Sequence, residues 1–185
     1  MAATAYDKSC YDLAVEGWRR ACQAKTSDPG YGAGHPATLA SRNNLALTLA
    51  RLGRLAEADR EYRDIVAIRT RMLGADHPNT LASRSHLALT LVRLGQPAEA
   101  GEEYQDIVRI QTQALGEEHP DALISRNNLA LTLSRLGRYD EAEAEQRAIL
   151  EIRTRVLGAE DSATMASKNH LAAVLAERAH LDETT

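Results

Sequence analysis

Internal repetition is the feature that most constrains how this chain folds. The pairs His35-Pro36, His77-Pro78 and His119-Pro120 are spaced 42 residues apart, and a further 42 residues lead to Asp161-Ser162. The units that begin at His35 and His77 are identical at 27 of 42 positions. A repeat period of this length is typical of solenoids and propellers, in which each unit is one supersecondary element.

Each unit predicts two helices. The first begins at the proline, which fits the first helical turn because its missing N–H has no partner there. It ends near Gly53 and its equivalents, where glycine can adopt the left-handed conformation. The second ends at Gly74 and its equivalents. Apolar residues in both helices follow helical spacing: Leu39, Leu45, Ala46, Leu49 and Leu52 in the first, and Ala58, Tyr62, Ile65, Val66, Met72 and Leu73 in the second.

One such hairpin cannot bury its own apolar face, so neighbouring hairpins must stack to complete the core. The composition agrees with close-packed helices: phenylalanine is absent, aromatic residues make up 4% of the chain, and leucine and alanine carry the apolar content. These residues favour helix over sheet.

The pattern N-L-A-x-x-L-x-x-L-G-x-x-x-E-A, which begins at Asn44, closely resembles the tetratricopeptide repeat (TPR). The 42-residue period and the L-G-x-[DE]-H-P joint resemble the kinesin light chain-type repeats of that family. The resemblance covers roughly residues 10–182. It implies an all-α, right-handed α-solenoid of antiparallel helix hairpins with about eight helices, which binds peptides or protein partners and catalyses no reaction.

The two ends depart from the repeat. Residues 10–26 predict an orphan second helix, because Tyr11 to Ala14 parallel Tyr139 to Ala142 at an offset of 128, two more than three repeats. The extra two residues lie near Asp28-Pro29-Gly30. The predicted organisation is a tail or helix remnant at 1–9, one TPR domain at 10–182 and a tail at 183–185. The domain comprises the orphan helix, repeats 35–76, 77–118 and 119–160, and a terminal helix at 162–182 that runs on without a glycine cap.

The resemblance implies that the first helices line a concave groove, and several positions per repeat are candidates for contact with a partner. Asn44, His86, Asn128 and His170, the polar ladder, occupy one position in each repeat. An amide can pair with both N–H and C=O of a peptide backbone. The alternative is hydrogen bonding between neighbouring helices. The neighbouring candidates are Asn43, Ser85, Asn127 and Asn169.

Arg51, Arg93 and Arg135, the arginine ladder, end the first helices. They either complement the helix dipole or bind acidic side chains of a partner. Glu177 occupies the fourth position. Arg42, Arg84, Arg126 and Lys168 share the stripe of leucines, so we expect their stems to pack and their charged groups to meet glutamates such as Glu57 or Glu61.

Several classes of function are disfavoured. A net charge of −4 argues against nucleic-acid binding, and no apolar stretch is long enough to cross a membrane. The three His-Pro histidines, one per repeat, are expected to begin helices rather than to converge on a metal. No phosphate loop or catalytic motif appears, so neither a cofactor nor an enzymatic activity is expected. Two cysteines without CxxC spacing and the absence of a signal-like N-terminus favour the cytoplasm.

Two functional interpretations remain. The first is a module that binds a partner peptide in the groove, with an acidic peptide as one candidate. The second is an assembly element that forms a homodimer, or docks on a larger parent protein, through its incomplete terminal repeats.

Overall fold

The computed structural model describes residues 2–28, 30 and 32–184, and the side chains within 11–181 of that set. Met1, Pro29, Tyr31 and Thr185 lie outside the described residues, as do parts of the predicted tails and of the two-residue insertion. Every element in the described part is a helix. The helices are α1 Ala2–Ser27, α2 Pro36–Arg51, α3 Leu55–Leu73, α4 Pro78–Arg93, α5 Pro97–Leu115, α6 Pro120–Arg135, α7 Tyr139–Leu157 and α8 Ser162–Thr184.

The chain divides into two compact units, Met1–Gly95 and Gln96–Thr185. In the first unit, α1 packs on α2, α2 on α3 and α3 on α4, and α2 also contacts α4. In the second unit, α5 packs on α6, α6 on α7 and α7 on α8, and α6 also contacts α8. First helices therefore lie beside each other within each unit, as expected for stacked TPR hairpins.

The predicted helix starts are confirmed, and histidine has a specific role in them. His35 lies at the N-cap of α2 in an extended conformation, and its Nδ1 accepts a hydrogen bond from the backbone N–H of Ala37 at 3.1 Å. His77 and His119 make the same bond to Asn79 and Asp121. Asp161 replaces histidine before α8, and its carboxylate accepts from Ala163 N–H at 2.8 Å. Each cap satisfies a helical N–H that lacks an intrahelical partner.

The predicted helix ends are also confirmed. At the end of α2, Gly53 has φ of 77°, and the N–H of Arg54 donates to the carbonyl of Leu49 at 2.9 Å. This is the 6→1 bond of a Schellman cap, which requires a left-handed residue. The resulting three-residue connection turns the chain directly into α3, so the two helices form a hairpin.

The core of each unit forms where a second helix packs between two first helices. Ala58, Tyr62 and Ile65 of α3 are almost fully buried, as are Ala142, Gln146 and Ile149 of α7. Both α3 and α7 contact the helix before and the helix after. Their buried side chains therefore depend on the neighbouring repeat as well as on their own.

A repeated polar contact ties α3 to α4 and α7 to α8. Arg69 Nη1 donates to the carbonyl of Asn79 at 2.7 Å and to Ser83 Oγ at 2.6 Å. Arg153 makes the equivalent bonds to Ala163 and Ser167. We call this arrangement the cation–serine contact. It satisfies an exposed first-turn carbonyl and a buried hydroxyl together.

Lys25 makes the same contact for α1, donating to Ser41 Oγ at 2.8 Å and to the Ala37 carbonyl. Lys25 and Ser41 are 16 residues apart, whereas Arg69 and Ser83 are 14 apart. The two-residue offset inferred from the sequence therefore corresponds to a connection between α1 and α2 that is longer than the one between α3 and α4. Lys25 nevertheless takes the same place against α2 that Arg69 takes against α4.

The terminal helices are longer than the sequence pattern predicts. The helix expected at 10–26 begins at Ala2, because no glycine or proline interrupts residues 2–10. The helix expected at 162–182 continues to Thr184. Arg178, which replaces the leucine before the glycine cap, pairs with Asp140 at 3.2 Å and with the buried carboxylate of Glu143. As predicted, α8 passes this position without a glycine cap.

Gln111 occupies the arginine position of the cation–serine contact in the second repeat, and its Oε1 is buried without a hydrogen-bond partner among the described residues. We therefore expect Gln111→Arg to raise the free energy of unfolding by about 1 kcal/mol, because a guanidinium reaches Ser125 and the Asp121 carbonyl as Arg153 reaches its partners. Urea denaturation measures the change. Gln113→Arg is the matched control, since it adds the same charge at an exposed position. Equal stability of the two variants would contradict the prediction.

Candidate partner-binding surface

Within each unit, the second helices leave part of the surface of the first helices uncovered. Leu89 and Ile124 are each 52% exposed, and Leu131 is also exposed. Leu47, at the position equivalent to Leu89, is half-buried. Large apolar side chains thus lie at the surface beside the polar ladder, although leucines one turn away are buried in the core.

The asparagines of the polar ladder keep their amides available. Asn44 and Asn128 are half-buried, and within the described part of the chain neither side chain has a hydrogen-bond partner. Their backbone carbonyls instead accept from Thr48 and Thr132 on the same helices. Asn43 is likewise half-buried with an uncommitted amide, and Asn169 is exposed. These four amides are free to bond to a ligand.

Asn127 and His170 belong to a network between helices. The Asn127 Oδ1 accepts from Gln146 Nε2 at 3.2 Å and lies 2.7 Å from His170 Nδ1. Since Gln146 is fully buried on α7, the network joins α6, α7 and α8. Here the geometry favours the interhelical alternative over contact with a ligand. Ser85 is half-buried and has interactions within the chain.

His86 also faces inward. Its ring lies against the buried ring of Tyr62, with 5.5 Å between the ring centroids and a 40° tilt. Its Nδ1 is buried without a hydrogen-bond partner among the described residues. Burial lowers the pKa of His86 below its ordinary value of 6.5, and the nearby charge of Arg69 lowers it further. Burial also raises the pKa of Tyr62 to about 12.

The arginine ladder is exposed. Arg51, Arg93 and Arg135 lie in the last turns of α2, α4 and α6, and no ion pair within the described residues engages them. In the fourth repeat, Glu177 instead accepts a hydrogen bond from Ser134 Oγ at 2.5 Å. The arginine ladder therefore has no member on α8.

The arginines of the leucine stripe are structural, as predicted. Arg42 Nε donates to Glu61 at 2.9 Å and its Nη2 to Asp64 at 2.9 Å, and Arg126 Nε donates to Glu145 at 2.8 Å. Lys168 departs from the prediction. Its shorter, single-nitrogen side chain bonds to the Ala159 carbonyl at 3.0 Å rather than to a glutamate.

A cleft that sequence reasoning missed lies between the first turns of α2 and α4 and the last turn of α3. It has a volume of about 370 Å³. Its walls are mainly apolar, and Arg69 lies on them. The only signal in the sequence is the combination of two small residues, Gly34 and Ala40, whose equivalents 84 residues further on are Glu118 and Ile124.

The described residues contain no group of three or more histidine, cysteine, aspartate or glutamate side chains arranged to hold a metal ion. No helix among them combines the length and hydrophobicity needed to cross a bilayer. Cys22 is a free, half-buried thiol whose pKa is raised, first by burial, whereas the Cys10 side chain lies outside the described residues.

Comparison with known proteins supports the identification of the helix hairpins as tetratricopeptide repeats. Family models described as tetratricopeptide repeat match residues 38–79, 84–152 and 125–183. No curated protein matches the chain. Two crystal structures of nearly identical TPR-like repeats, from a Podosopora anserina protein assigned as a kinesin light chain, are similar, with TM-scores of 0.79 and 0.77 and 32% identity. Each match covers 94% of this chain and 81% of the other.

BtubC (BKLC) from P. vanneervenii shares the fold, with a TM-score of 0.68 and 23% identity over 95% of this chain and 66% of the other. The matched models span most of the sequence, and the helix hairpins, caps and 42-residue period agree with them. The chain is a member of the tetratricopeptide repeat family, with repeats of the kinesin light chain type.

Proposed function

We propose that this protein binds a partner peptide on the exposed sides of its first helices, which are α2 and α4 in the first unit and α6 and α8 in the second. TPR repeats generally mediate protein–protein interaction, and the proposal concerns where and how this chain does so. The observation that carries it is the coexistence, within each unit, of uncommitted amides with exposed apolar side chains on the first helices. Asn44 and Leu89 offer backbone hydrogen bonds and apolar contact in the first unit, and Asn128 and Leu131 offer them in the second.

The chemistry of this face favours an acidic partner. Arg51, Arg93 and Arg135 are exposed and lack ion-pair partners among the described residues, although the whole chain carries a net charge of −4. Guanidinium groups bind carboxylates through two parallel hydrogen bonds. The arginine ladder therefore provides local attraction to acidic side chains, and the partner's affinity should fall as salt concentration rises.

A second candidate function is association with another chain through α1 and α8. Leu175 of α8 is 37% exposed, whereas Leu49, Leu91 and Leu133 at the equivalent position are buried. The difference arises because no further helix covers that side of α8 within the described part of the chain. Leu13 of α1 is exposed as well. A second copy of the chain is the occupant proposed for these surfaces.

The first prediction concerns the uncommitted amides. For a peptide selected from a displayed library against the whole chain, Asn44→Ala combined with Asn128→Ala should weaken binding by about ten-fold or more, since two backbone hydrogen bonds are lost. Isothermal titration measures the affinity. Gln105→Ala combined with Gln113→Ala, on the exposed face of α5, is the control. If both double variants bound the peptide equally, the assignment of this face would be wrong.

The second prediction concerns His86, which we expect to stabilise the fold as a neutral ring. Below about pH 6.5 the unfolded chain binds a proton that the folded chain binds less readily, so the free energy of unfolding falls as pH decreases. His86→Asn removes this contribution. The difference in stability between the parent protein and the variant should shrink from about pH 7.5 to about pH 5.5 in urea denaturation. A difference that is independent of pH would contradict this role for His86.

The third prediction concerns self-association. Light scattering after size exclusion, from low to high micromolar protein, should show a dimer that Leu175→Glu converts to a monomer, because the charge would be buried in the interface. Leu115→Glu, at an exposed position on α5, is the control. A monomer at every concentration would exclude self-association and leave the face of the first helices as the sole candidate surface.

A further inference from the structure

The cleft between the first turns of α2 and α4 has room for a side chain from outside. Leu39, Met72 and Leu73 form much of its wall, and Met72 and Leu73 are exposed. Small residues leave the space open: Ala40 lies on the wall, and a Cβ added to Gly34 would lie 2.5 Å from the Met72 sulfur. Because methionine is flexible, Met72 can adjust to a guest.

Arg69 gives this apolar cleft an uncompensated charge. Its Nη1 makes the cation–serine contact to Asn79 and Ser83, both through neutral oxygens. Among the described residues it has no carboxylate partner, and burial lowers its pKa. A guanidinium has five N–H donors, and the two bonds use only one of its nitrogens. A partly desolvated cation without a counter-ion favours an incoming carboxylate.

The equivalent place in the second unit, 84 residues further on, is built differently. Ile124 replaces Ala40, and Glu118 replaces Gly34 and pairs with Arg155 at 2.7 Å. Asp161 replaces His77, and its charge opposes the effect of burial on the pKa of Arg153. The equivalent place thus carries a larger side chain and an exposed ion pair, and its cation has an acidic neighbour. The open, uncompensated cleft belongs to the first unit.

We propose that the cleft receives an aliphatic side chain of a partner segment while Arg69 binds a carboxylate next to that side chain. The inference rests on the proposed function, which it deepens by naming the chemistry of the partner: a leucine-like residue beside an acidic one. The apolar wall selects the first group, and the free donors of Arg69 select the second.

The test uses methionine residues labelled with ¹³C in the ε-methyl group, in the whole chain. Met72 reports on the cleft, and Met165 on α8 serves as an internal reference. The probe is the capped peptide acetyl-Ser-Leu-Glu-Ser-amide. We expect the Met72 signal to shift with a Kd on the order of 1 mM, given the small size of the probe. Replacing the probe's leucine by alanine, or its glutamate by glutamine, should weaken binding about five-fold or more.

Variants of the chain locate the binding. Ala40→Ile, which introduces the residue found at 124, should fill the cleft and abolish the Met72 shift. Arg69→Lys retains the cation–serine contact that Lys25 makes, so it should fold normally and bind the probe about three-fold or more weakly, because the fork is lost. Arg60→Ala removes an exposed cation of α3 outside the cleft and should leave probe binding unchanged.

Three results would overturn the inference: no Met72 shift at about 10 mM probe, equal shifts with the glutamine probe, or a shift that survives Ala40→Ile. Each leaves the proposed function to its own test, since loss of peptide binding in the double asparagine variant is measured separately. Conversely, a normal Met72 response in that double variant would support the cleft even if the amides made no contribution to peptide binding.

Discussion

Burial of each second helix between two first helices is the interaction on which the rest of the structure depends. Tyr62 and Ile65 are nearly inaccessible only because α3 has α2 on one side and α4 on the other. A single hairpin would leave one of those sides in water, at a cost of about 1.5–3 kcal/mol for each large apolar side chain. The caps and the cation–serine contact set the position of each helix, but they do not replace this burial.

This dependence explains why the fold could be predicted from the sequence. Stacking requires the same sequence pattern in every 42-residue repeat. Pro36 and Gly53 therefore recur with their neighbours, and they mark the helix boundaries correctly. The pairing of Arg42 with Glu61 was predictable for the same reason, because both positions repeat. The extension of α1 to Ala2 could not be predicted in this way, because no other segment of the chain resembles residues 2–9. Only the absence of a helix breaker indicates that extension.

The candidate surface was less predictable because equivalent positions have different partners. Asn44 and His86 share one position in the repeat, yet His86 packs on Tyr62 whereas the amide of Asn44 stays uncommitted. Likewise, Asn127 accepts a hydrogen bond from Gln146 on the following helix. Asn43 is the equivalent of Asn127, but the residue equivalent to Gln146 is Tyr62. The role of each residue depends on a neighbour 19 to 24 residues away, and a pattern within one helix does not reveal that neighbour.

Departures from the repeat therefore carry the most information about binding. Constant apolar positions, such as Ala46 and Ala58, are buried and serve the stacking. Positions that change between repeats, such as the one occupied by Ala40 and Ile124, lie on the surface and give each repeat its own shape. Arg69 belongs to both groups, because its Nη1 holds α4 in place and its other nitrogens make no hydrogen bond within the described residues. Since Gln111 occupies the same position in the next repeat, the fold does not require an arginine there. A cation kept beside an open apolar cleft is then better explained by a binding role than by packing alone.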